Sequence, residues 1–584
     1  MPLDNKTIEA ERNKVSWLLK RLKTAEDYCK PYFDRAKRHY QLYRFSSSVK
    51  ETDWPYVNRV RSRDILAFVE DSTAIMVQTL FSTIPFFSII PRQSNFMRVF
   101  YENIDPQAIG RQVERCLDYQ VCHEDTQFFE EMVDYFKSGC MFGNAYEGVF
   151  PKFEVDGTYL RPQLKTADFW DVLPIVGASR LTRSKGVFYR EFMAPEDLED
   201  MQNKGIYNKT DLKIRSQSTS TDPEIQWHKN LLAELGMEDY LPDDENIECL
   251  HYFSGGHVIS MANRKDILRD STEPVETGQT DPQGNKIMLP VRPYPYDMPI
   301  VQYKYMPVPC EFFSMGIPEV LEVLQEDKNL IRSARRDNID LVINKIIKAR
   351  AGADINYDLI KYYAGAIWPL ENLQDIEPLE QGDVTASSYN EEGLIQKDME
   401  NALSFFGYAR GMTPEHSERP TTVIRLQEAS MNRQDLSIKL AEFTTLQNIA
   451  MRVVLLTRKY MKQADYEAII GEKDAGFYRL TEEHLRRFFY IKPVGSSVTH
   501  VKEIRQSQMQ FMLDTLMKIP PEVAMQSIEP FTVNWYEAVR SSLESADIKN
   551  IDRILLSMKR PPPEPVMFPM EQINELANIG YGGM

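Results

Sequence analysis

Two histidines and an aspartate come nearest to a metal-binding pattern in this sequence. His251 and His257 lie close together in the segment HYFSGGHVIS, and Asp270 follows them. Imidazole nitrogens and carboxylate oxygens are common metal ligands. The segment alternates in a way that places both histidines in β-strands, which explains them without a metal. We therefore expect no metal site and no cofactor.

Two acidic doublets, Asp243/Asp244 and Glu482/Glu483, could hold magnesium for a nuclease. Doublets on polar segments are usually solvated faces, and we favour that interpretation here. The chain also lacks the phosphate loop GxxxxGK[ST], the elbow GxSxG, the HExxH helix and the EF-hand loop. These observations favour a protein that is not an enzyme.

Basic residues cluster in a predicted helix that begins at Ile317 and continues to about Arg350. Two explanations of the cluster remain open. The helix could face a polyanion, or basic side chains could favour its C-terminal half and pair with acidic residues of a neighbouring subunit. The cluster consists of Arg332, Arg335, Arg336, Lys345, Lys348 and Arg350.

A second group of candidate contact residues lies in the segment FGYARGMTPEHSERPTT. Gly407 and Gly411 permit backbone angles that other residues resist, while Pro414 and Pro420 prevent a helix from continuing. The segment is therefore either a surface turn or a projecting loop between two helices. Its candidate contact residues are Tyr408, Arg410, His416 and Arg419.

A long amphipathic helix is predicted after this loop, with Thr421 or Thr422 as its N-cap. A helix of roughly forty residues would be about 60 Å long, which makes it a structural spine. Its apolar residues recur at three-to-four-residue spacing on one face. They are Leu436, Leu440, Phe443, Leu446, Ile449 and Val453.

The composition is that of a folded, acidic protein. Of 584 residues, 42% are hydrophobic, and the net charge of −17 argues against holding nucleic acid by bulk charge neutralisation. It does not exclude a surface past which DNA slides. Six cysteines without a CxxC pair, and an N-terminus without an apolar signal core, indicate reduced thiols and synthesis in the cytoplasm.

The most apolar stretch, ILAFVEDSTAIMVQTLFSTIPFFSII, is expected to form a buried helix followed by a strand. Glu70, Asp71 and Gln78 interrupt it and Pro85 breaks it, so a membrane span is not expected. Elsewhere the pattern predicts an α+β chain. It predicts helices at 7–45 with a break at Pro31, 61–81, 109–136, 317–350 and 391–406, short strands over 152–309 with a polar insert at 202–246, and mostly helices over 465–558.

The order of these segments resembles the portal protein, or head-to-tail connector, of tailed double-stranded DNA bacteriophages, most like the short-tailed type. Each of these sequence segments is weakly specific by itself, and the resemblance from about Arg61 to Tyr460 rests on their joint order. The segments are DSTAIMVQTLFSTIPFFSIIP, FKSGCMFGNAYEGVF, LKTADFWDVLP, GVFYREFMAPEDLEDM, and the start of the helix at Ile317, where the residues at positions typical of the family are Gly316, Pro318, Gln325, Asn329, Arg332 and Asp337.

The resemblance implies a portal fold assembled as a ring, usually of twelve subunits, and an organisation into named regions. The regions are an N-terminal helical segment (1–60), an α/β wing (61–316), a first stem helix (317–350), a small α/β clip (351–388), a second stem helix (389–406), a tunnel loop (407–420), a spine helix with a return to the wing (421–497), a helical crown (498–558) and a tail (559–584).

The implied mechanism is passive, in a virion component made in the host cytoplasm and placed at one capsid vertex. Double-stranded DNA, driven by a separate terminase, would pass the stem cations and the tunnel loop. The clip would bind the large terminase subunit and then a tail adaptor protein, and the ring would contact the major capsid and scaffolding proteins. The clip candidates are Asp354, Asp358, Lys361, Tyr362 and Trp368.

Two alternatives come from other classes of protein. One is an enzyme acting on nucleic acid through an unrecognised site, which a metal-dependent activity lost on mutating one carboxylate would support. The other is an internal virion protein that forms no channel, which would fail to make closed rings.

Overall fold

The computed structural model describes most of the chain up to Val494. The described residues are 5–44, 56–82, 85–92, 106–154, 158–208, 246–280, 286–290, 292–344, 346–352, 376–379, 385–403, 432–471 and 476–494, with single positions at 355, 367 and 374. The chain divides into two compact units, Met1–Ser496 and Ser497–Met584. Every described residue belongs to the first unit, which has an α+β fold.

The first helix, α1 (Asn5–Tyr43), runs through Pro31 without ending. The predicted break at Pro31 is therefore wrong. Proline inside a helix costs about 3 kcal/mol through a lost hydrogen bond and a steric clash. The helix persists because Cys29 and Phe33, on either side of the exposed proline, are buried in the core.

Three further helices precede the main sheets, and two of them, α2 (Asp64–Leu80) and α4 (Phe128–Phe142), pack beside α1. The stretch expected to form a buried helix followed by a strand does so, as α2 and β1. The helix predicted over 109–136 is two helices, separated by a short 3-10 turn (Glu124–Thr126). The bounds are α2 Asp64–Leu80, β1 Phe87–Pro91, α3 Pro106–Val121 and α4 Phe128–Phe142.

Two antiparallel sheets contain most of the described strands. One has the strand order β11-β2-β3 and the other β4-β5-β6-β7-β8, while β9 and β10 form a separate hairpin. The helix α5 (Pro195–Asn203) follows β5. The strands are β2 Asn144–Phe153, β3 Tyr159–Ala167, β4 Val172–Pro174, β5 Val187–Met193, β6 Ile247–Ser254, β7 His257–Ala262, β8 Asp266–Asp270, β9 Pro274–Thr280, β10 Lys286–Pro290 and β11 Ile300–Lys304.

Two long helices follow the sheets. The helix predicted to reach about Arg350 ends at Ile343, and its successor starts at Thr385, earlier than the expected Glu391. A small antiparallel pair lies between them in the chain. The bounds are α6 Ile317–Ile343, β12 Ile347–Ala349, β13 Ile376–Pro378 and α7 Thr385–Leu403.

The predicted spine is helical from Asn432 to Tyr460 and contains a π-helical segment. It comprises α8 (Asn432–Leu440), the π segment (Ala441–Leu446) and α9 (Gln447–Tyr460). The expected apolar face is only partly right. Leu446, Ile449 and Val453 are buried, whereas the side chains of Leu436 and Phe443 are exposed.

The last described part of the chain returns to the first strand, β1. Two short helices, α10 (Gln463–Ile470) and α11 (Glu482–Phe488), lead into strand β14 (Phe489–Pro493), where helices were expected. β14 pairs antiparallel with β1. The edge of β1 provides the hydrogen-bonding partner, a long-range contact that the local pattern of β14 could not reveal.

One large hydrophobic core joins the helices to both sheets, with fully buried aromatic residues such as Tyr135, Phe136 and Tyr303 at its centre. Four of the six cysteines are buried and none forms a disulfide. Within the described ranges, no helix has the length and apolar character needed to cross a bilayer.

Candidate functional site

The entry into α6 depends on a close approach between two glycines and the neighbouring backbone. Gly143, at the end of α4, has φ +81°, and a Cβ there would lie 2.1 Å from the Ser314 carbonyl oxygen. A Cβ on Gly316, the N-cap of α6, would lie 2.4 Å from the Met141 carbonyl oxygen. No side chain fits at either position. Glycine therefore fixes where α6 leaves the sheet region.

A charged cluster holds α6 against α7. The Arg335 guanidinium donates to Glu392 at 2.5 Å, and Arg332 lies 3.5 Å from the same carboxylate. Arg335 also lies over the ring of Tyr389 at 4.0 Å. Because the side chains of Arg335 and Glu392 are only 10% and 21% exposed, water screens this pair weakly.

A buried lysine joins three helices one turn earlier. The Lys328 ammonium donates to Asp64 at the start of α2 at 2.9 Å and to Gln396 of α7 at 2.7 Å. A buried ammonium needs such partners because desolvation is costly. Lys328 therefore ties both α2 and α7 to one position in α6.

The segment 57–65 lies along α6, held by polar side chains four residues apart. Residues at this spacing share one helix face. Backbone N–H groups of the segment donate to these side chains, and Gln325 returns a hydrogen bond to the Ser62 carbonyl at 3.1 Å. The donors are Val57 and Asn58 to Asp337, Val60 to Ser333, Ser62 to Asn329 and Ile65 to Gln325, at 2.7 to 3.0 Å.

Asp337 is the most heavily used acceptor of this group. Desolvation raises its pKa, but hydrogen bonds from the backbone of Asn58 and Val57 and from the Asn58 amide outweigh that effect and hold the pKa below its usual value. Asp337 is thus a carboxylate at neutral pH, and its charge strengthens these hydrogen bonds.

The other basic residues of the predicted stem cluster have more open surroundings. The Arg336 side chain is 59% exposed and lies 3.7 Å from Asp340 on its own helix. Lys348 lies in β12, opposite Glu377 of β13, and is exposed. Arg350 follows β12 and is also exposed. The structure thus places this cluster in two groups, Arg332 and Arg335 against α7 and the others toward solvent.

Several predicted site residues fall outside the described part of the chain. They are Lys345 of the basic cluster, the loop residues Tyr408, Arg410, His416 and Arg419, and the residues Asp354, Asp358, Lys361, Tyr362 and Trp368.

The imagined metal ligands do not come together. His251 Nδ1 lies 2.9 Å from the Ser260 hydroxyl, and His257 Nδ1 lies 3.1 Å from the Ser271 carbonyl oxygen. Asp270 binds Lys14. Among the residues that the structure describes, no group of three or more His, Cys, Asp or Glu could hold a metal ion.

Sequence reasoning missed Glu392, Tyr389 and the role of the segment 57–65. The repeat of Gln325, Asn329, Ser333 and Asp337 along α6 was a readable signal for a polar face. Glu392 carried no such signal, because it lies 57 residues from Arg335 in the chain.

Comparison with known proteins gives one family. The family model described as "Phage SU10 portal protein" matches residues 281–579, just over half of the chain, including α6, α7 and the spine helix. No curated protein sequence matches the chain. A solved chain described as "Neck of empty GTA particle computed with C6 symmetry" is similar at 9% identity and a TM-score of 0.33, covering 80% of this chain and 93% of that one. A TM-score this low is too small to infer a shared fold. On the family match, the chain belongs to the phage SU10 portal protein family.

Proposed function

We propose that this chain is the subunit of a closed ring at one capsid vertex, through which double-stranded DNA is packaged and later ejected. Family membership over residues 281–579 is the observation that carries the proposal. The role is structural rather than catalytic, with the DNA moved by a separate terminase motor.

In this proposal the paired helices α6 and α7 are the stem of the channel, with strand β12 at the end of the first stem region (317–350) and its partner β13 in the clip (351–388). The sheets before α6 belong to the wing, and the helix from Asn432 to Tyr460 is the spine. The fixed entry at Gly143 and Gly316 and the contacts of Lys328 support this assignment, since a channel wall needs helices held at a constant angle.

Exposed apolar side chains on the long helices support assembly into a ring. Val323 of α6 is 67% exposed, Leu394 of α7 is 55% exposed, and Leu436 and Phe443 of the spine are 61% and 49% exposed. Burying apolar surface is favourable by about 25 cal/mol per Å². Neighbouring subunits would supply that burial, and twelve is the subunit number that we propose.

The charges of the stem would let DNA pass without being trapped. Arg332 and Arg335 are committed to Glu392, so they would act mainly by fixing the wall. Arg336 and Lys348 are open to solvent and are better placed for weak phosphate contacts. We propose further contacts from Arg410 and Arg419 in the tunnel loop.

The clip would bind the large terminase subunit during packaging and a tail adaptor protein afterwards. Asp354, Asp358, Lys361, Tyr362 and Trp368 remain the proposed contact residues. The outer surface of the ring would meet the major capsid and scaffolding proteins.

Negative-stain electron microscopy of the purified chain tests the ring. Closed rings with a central hole wide enough for duplex DNA are expected. Leu436→Asp and Phe443→Asp should abolish rings while leaving the subunit folded, because their side chains are 61% and 49% exposed. Val176→Asp, at a position 46% exposed outside the long helices, is the matched control and should retain rings. Rings unaffected by the spine variants would contradict the proposed interface.

The tunnel loop is tested separately from ring formation. Arg410→Ala with Arg419→Ala should alter DNA filling or retention in assembled particles while rings remain intact. Unchanged DNA filling and retention would contradict the proposal that the tunnel loop contacts the DNA.

A further inference from the structure

A cavity of about 1100 Å³ lies between α1, the five-stranded sheet and the spine helix. Trp17, Tyr252 and Tyr296 form aromatic parts of its wall. Its volume lies just above the range of about 300–1,000 Å³ that is typical of small-ligand pockets. None of its lining residues belongs to the paired helices α6 and α7.

The cavity is cationic in a protein that is strongly acidic. Asp297 is the single carboxylate among its described lining residues. The Lys14 ammonium is already paired with Asp270. Four positive charges then remain against one negative charge. The cationic lining residues are Lys14, Arg21, Lys185, Arg452 and Arg486.

Two arginines in this wall are oriented by neutral groups. Arg452 donates from Nε to the Met298 carbonyl at 3.0 Å, and its guanidinium lies 5.4 Å from the centre of the Tyr296 ring. Arg486 donates to the Pro295 carbonyl. Among the described residues, neither guanidinium forms an ion pair with a carboxylate. Carbonyl groups accept hydrogen bonds from these guanidinium groups but carry no full negative charge. The Asp297 carboxylate acts on the charge of Arg452 from a greater distance than an ion pair.

The two guanidinium groups also repel one another. Burial lowers the pKa of Arg452 to about 10, and the nearby positive charge of Arg486 acts in the same direction, while Tyr296, Tyr135 and Asp297 oppose them. Two like charges in a partly desolvated site destabilise each other. A bound anion would remove that repulsion.

We propose that this cavity binds a phosphate-bearing ligand of at most nucleotide size. A phosphate group carries a charge of about −1.5 to −2 at neutral pH, which matches two adjacent arginines better than a carboxylate does. Guanidinium groups suit phosphate oxygens because they offer several N–H donors in a fixed plane. The aromatic wall provides apolar surface for the rest of the ligand. This site is independent of the proposed channel.

Isothermal titration calorimetry of the full-length chain tests the site, with sodium pyrophosphate and ATP as probes and sodium chloride at equal ionic strength as the blank. Saturable binding of pyrophosphate or ATP is expected. Arg486→Gln should weaken it about tenfold, because a charge-assisted hydrogen bond contributes about 1.5 kcal/mol or more. Arg487→Gln is the matched control, since Arg487 is the adjacent arginine but does not line the cavity. The control should bind as the unmodified chain does.

A second variant keeps the test decisive if Arg486→Gln does not fold. Lys185 lines the cavity with an exposed side chain, so Lys185→Gln should fold and weaken binding about threefold. Equal affinity for ATP and pyrophosphate would show that the site recognises the phosphate groups alone. Tighter binding of ATP would show that the aromatic wall also contacts the ligand. The proposal is overturned by heats no larger than those of the blank, by equal weakening in Arg487→Gln, or by equally tight binding of a poly-glutamate peptide.

Discussion

The ion pair between α6 and α7 makes a quantitative prediction about the role of the basic cluster. Arg335 and Glu392 are 2.5 Å apart and largely buried, with 10% and 21% of their side chains exposed. Exposed pairs contribute about 0.2–1 kcal/mol, whereas breaking a buried pair costs about 3–5 kcal/mol. This partly buried pair should therefore show a coupling free energy of about 1.5–2 kcal/mol.

A double-mutant cycle measures that coupling. The variants Arg335→Met, Glu392→Gln and the double variant would be unfolded with urea, followed by circular dichroism, and the free energies of unfolding compared. A second cycle on Arg336→Met and Asp340→Asn is the matched control on the same helix. That pair is 3.7 Å apart with side chains 59% and 41% exposed, so its coupling should be about 0.3–0.5 kcal/mol.

Equal coupling in the two cycles would refute this reasoning. Arg335 would then not be committed to Glu392 in solution, and its guanidinium would be as available to DNA phosphates as that of Arg336. Coupling that disappears at moderate salt in the first cycle would lead to the same conclusion, because salt screens exposed pairs far more than buried ones.

Three further predictions concern the backbone, the segment 57–65 and a buried carboxyl group. Gly143→Ala should lower the free energy of unfolding by about 2–4 kcal/mol, because strain at positive φ adds to a steric clash. The control Gly177→Ala, at φ +104° with open space around it, should lower it by only about 1 kcal/mol. Equal losses in urea unfolding would contradict the close approach at Gly143. Asn329→Ala leaves the buried Ser62 N–H without its 2.7 Å acceptor, so hydrogen exchange at Ser62 should speed up by about tenfold or more, and unchanged exchange would count against the contact. Burial, together with the charge of Asp168, raises the pKa of Asp171 to about 8, so the folded state loses stability as pH rises from about 4 to 8. Asp171→Asn removes that loss, and its thermal midpoint should exceed that of the unmodified chain by a margin that grows over this range and then levels off; a constant margin would show that Asp171 titrates normally.

The sequence by itself predicted those features that depend on neighbouring residues. The pattern of apolar and polar side chains placed α2, β1 and the helix beginning at Ile317, because helix and strand periodicities are properties of a few consecutive residues. The glycine at 143 marked a turn for the same reason, since its backbone conformation is a local property. The order of such segments also identified the family.

Only the tertiary structure decided the features that depend on distant parts of the chain. Core packing on both sides of Pro31 kept α1 continuous against a local preference for a break. Strand β14 formed because β1 offered an edge, and Arg335 acquired Glu392 because α7 packs on α6. The segment 57–65 found its acceptors more than 250 residues away. A sequence shows which groups need partners, but packing of the core decides which elements come into contact and therefore which partner each group finds. That packing separated Arg332 and Arg335, which bind Glu392 between α6 and α7, from Arg336 and Lys348, which face solvent.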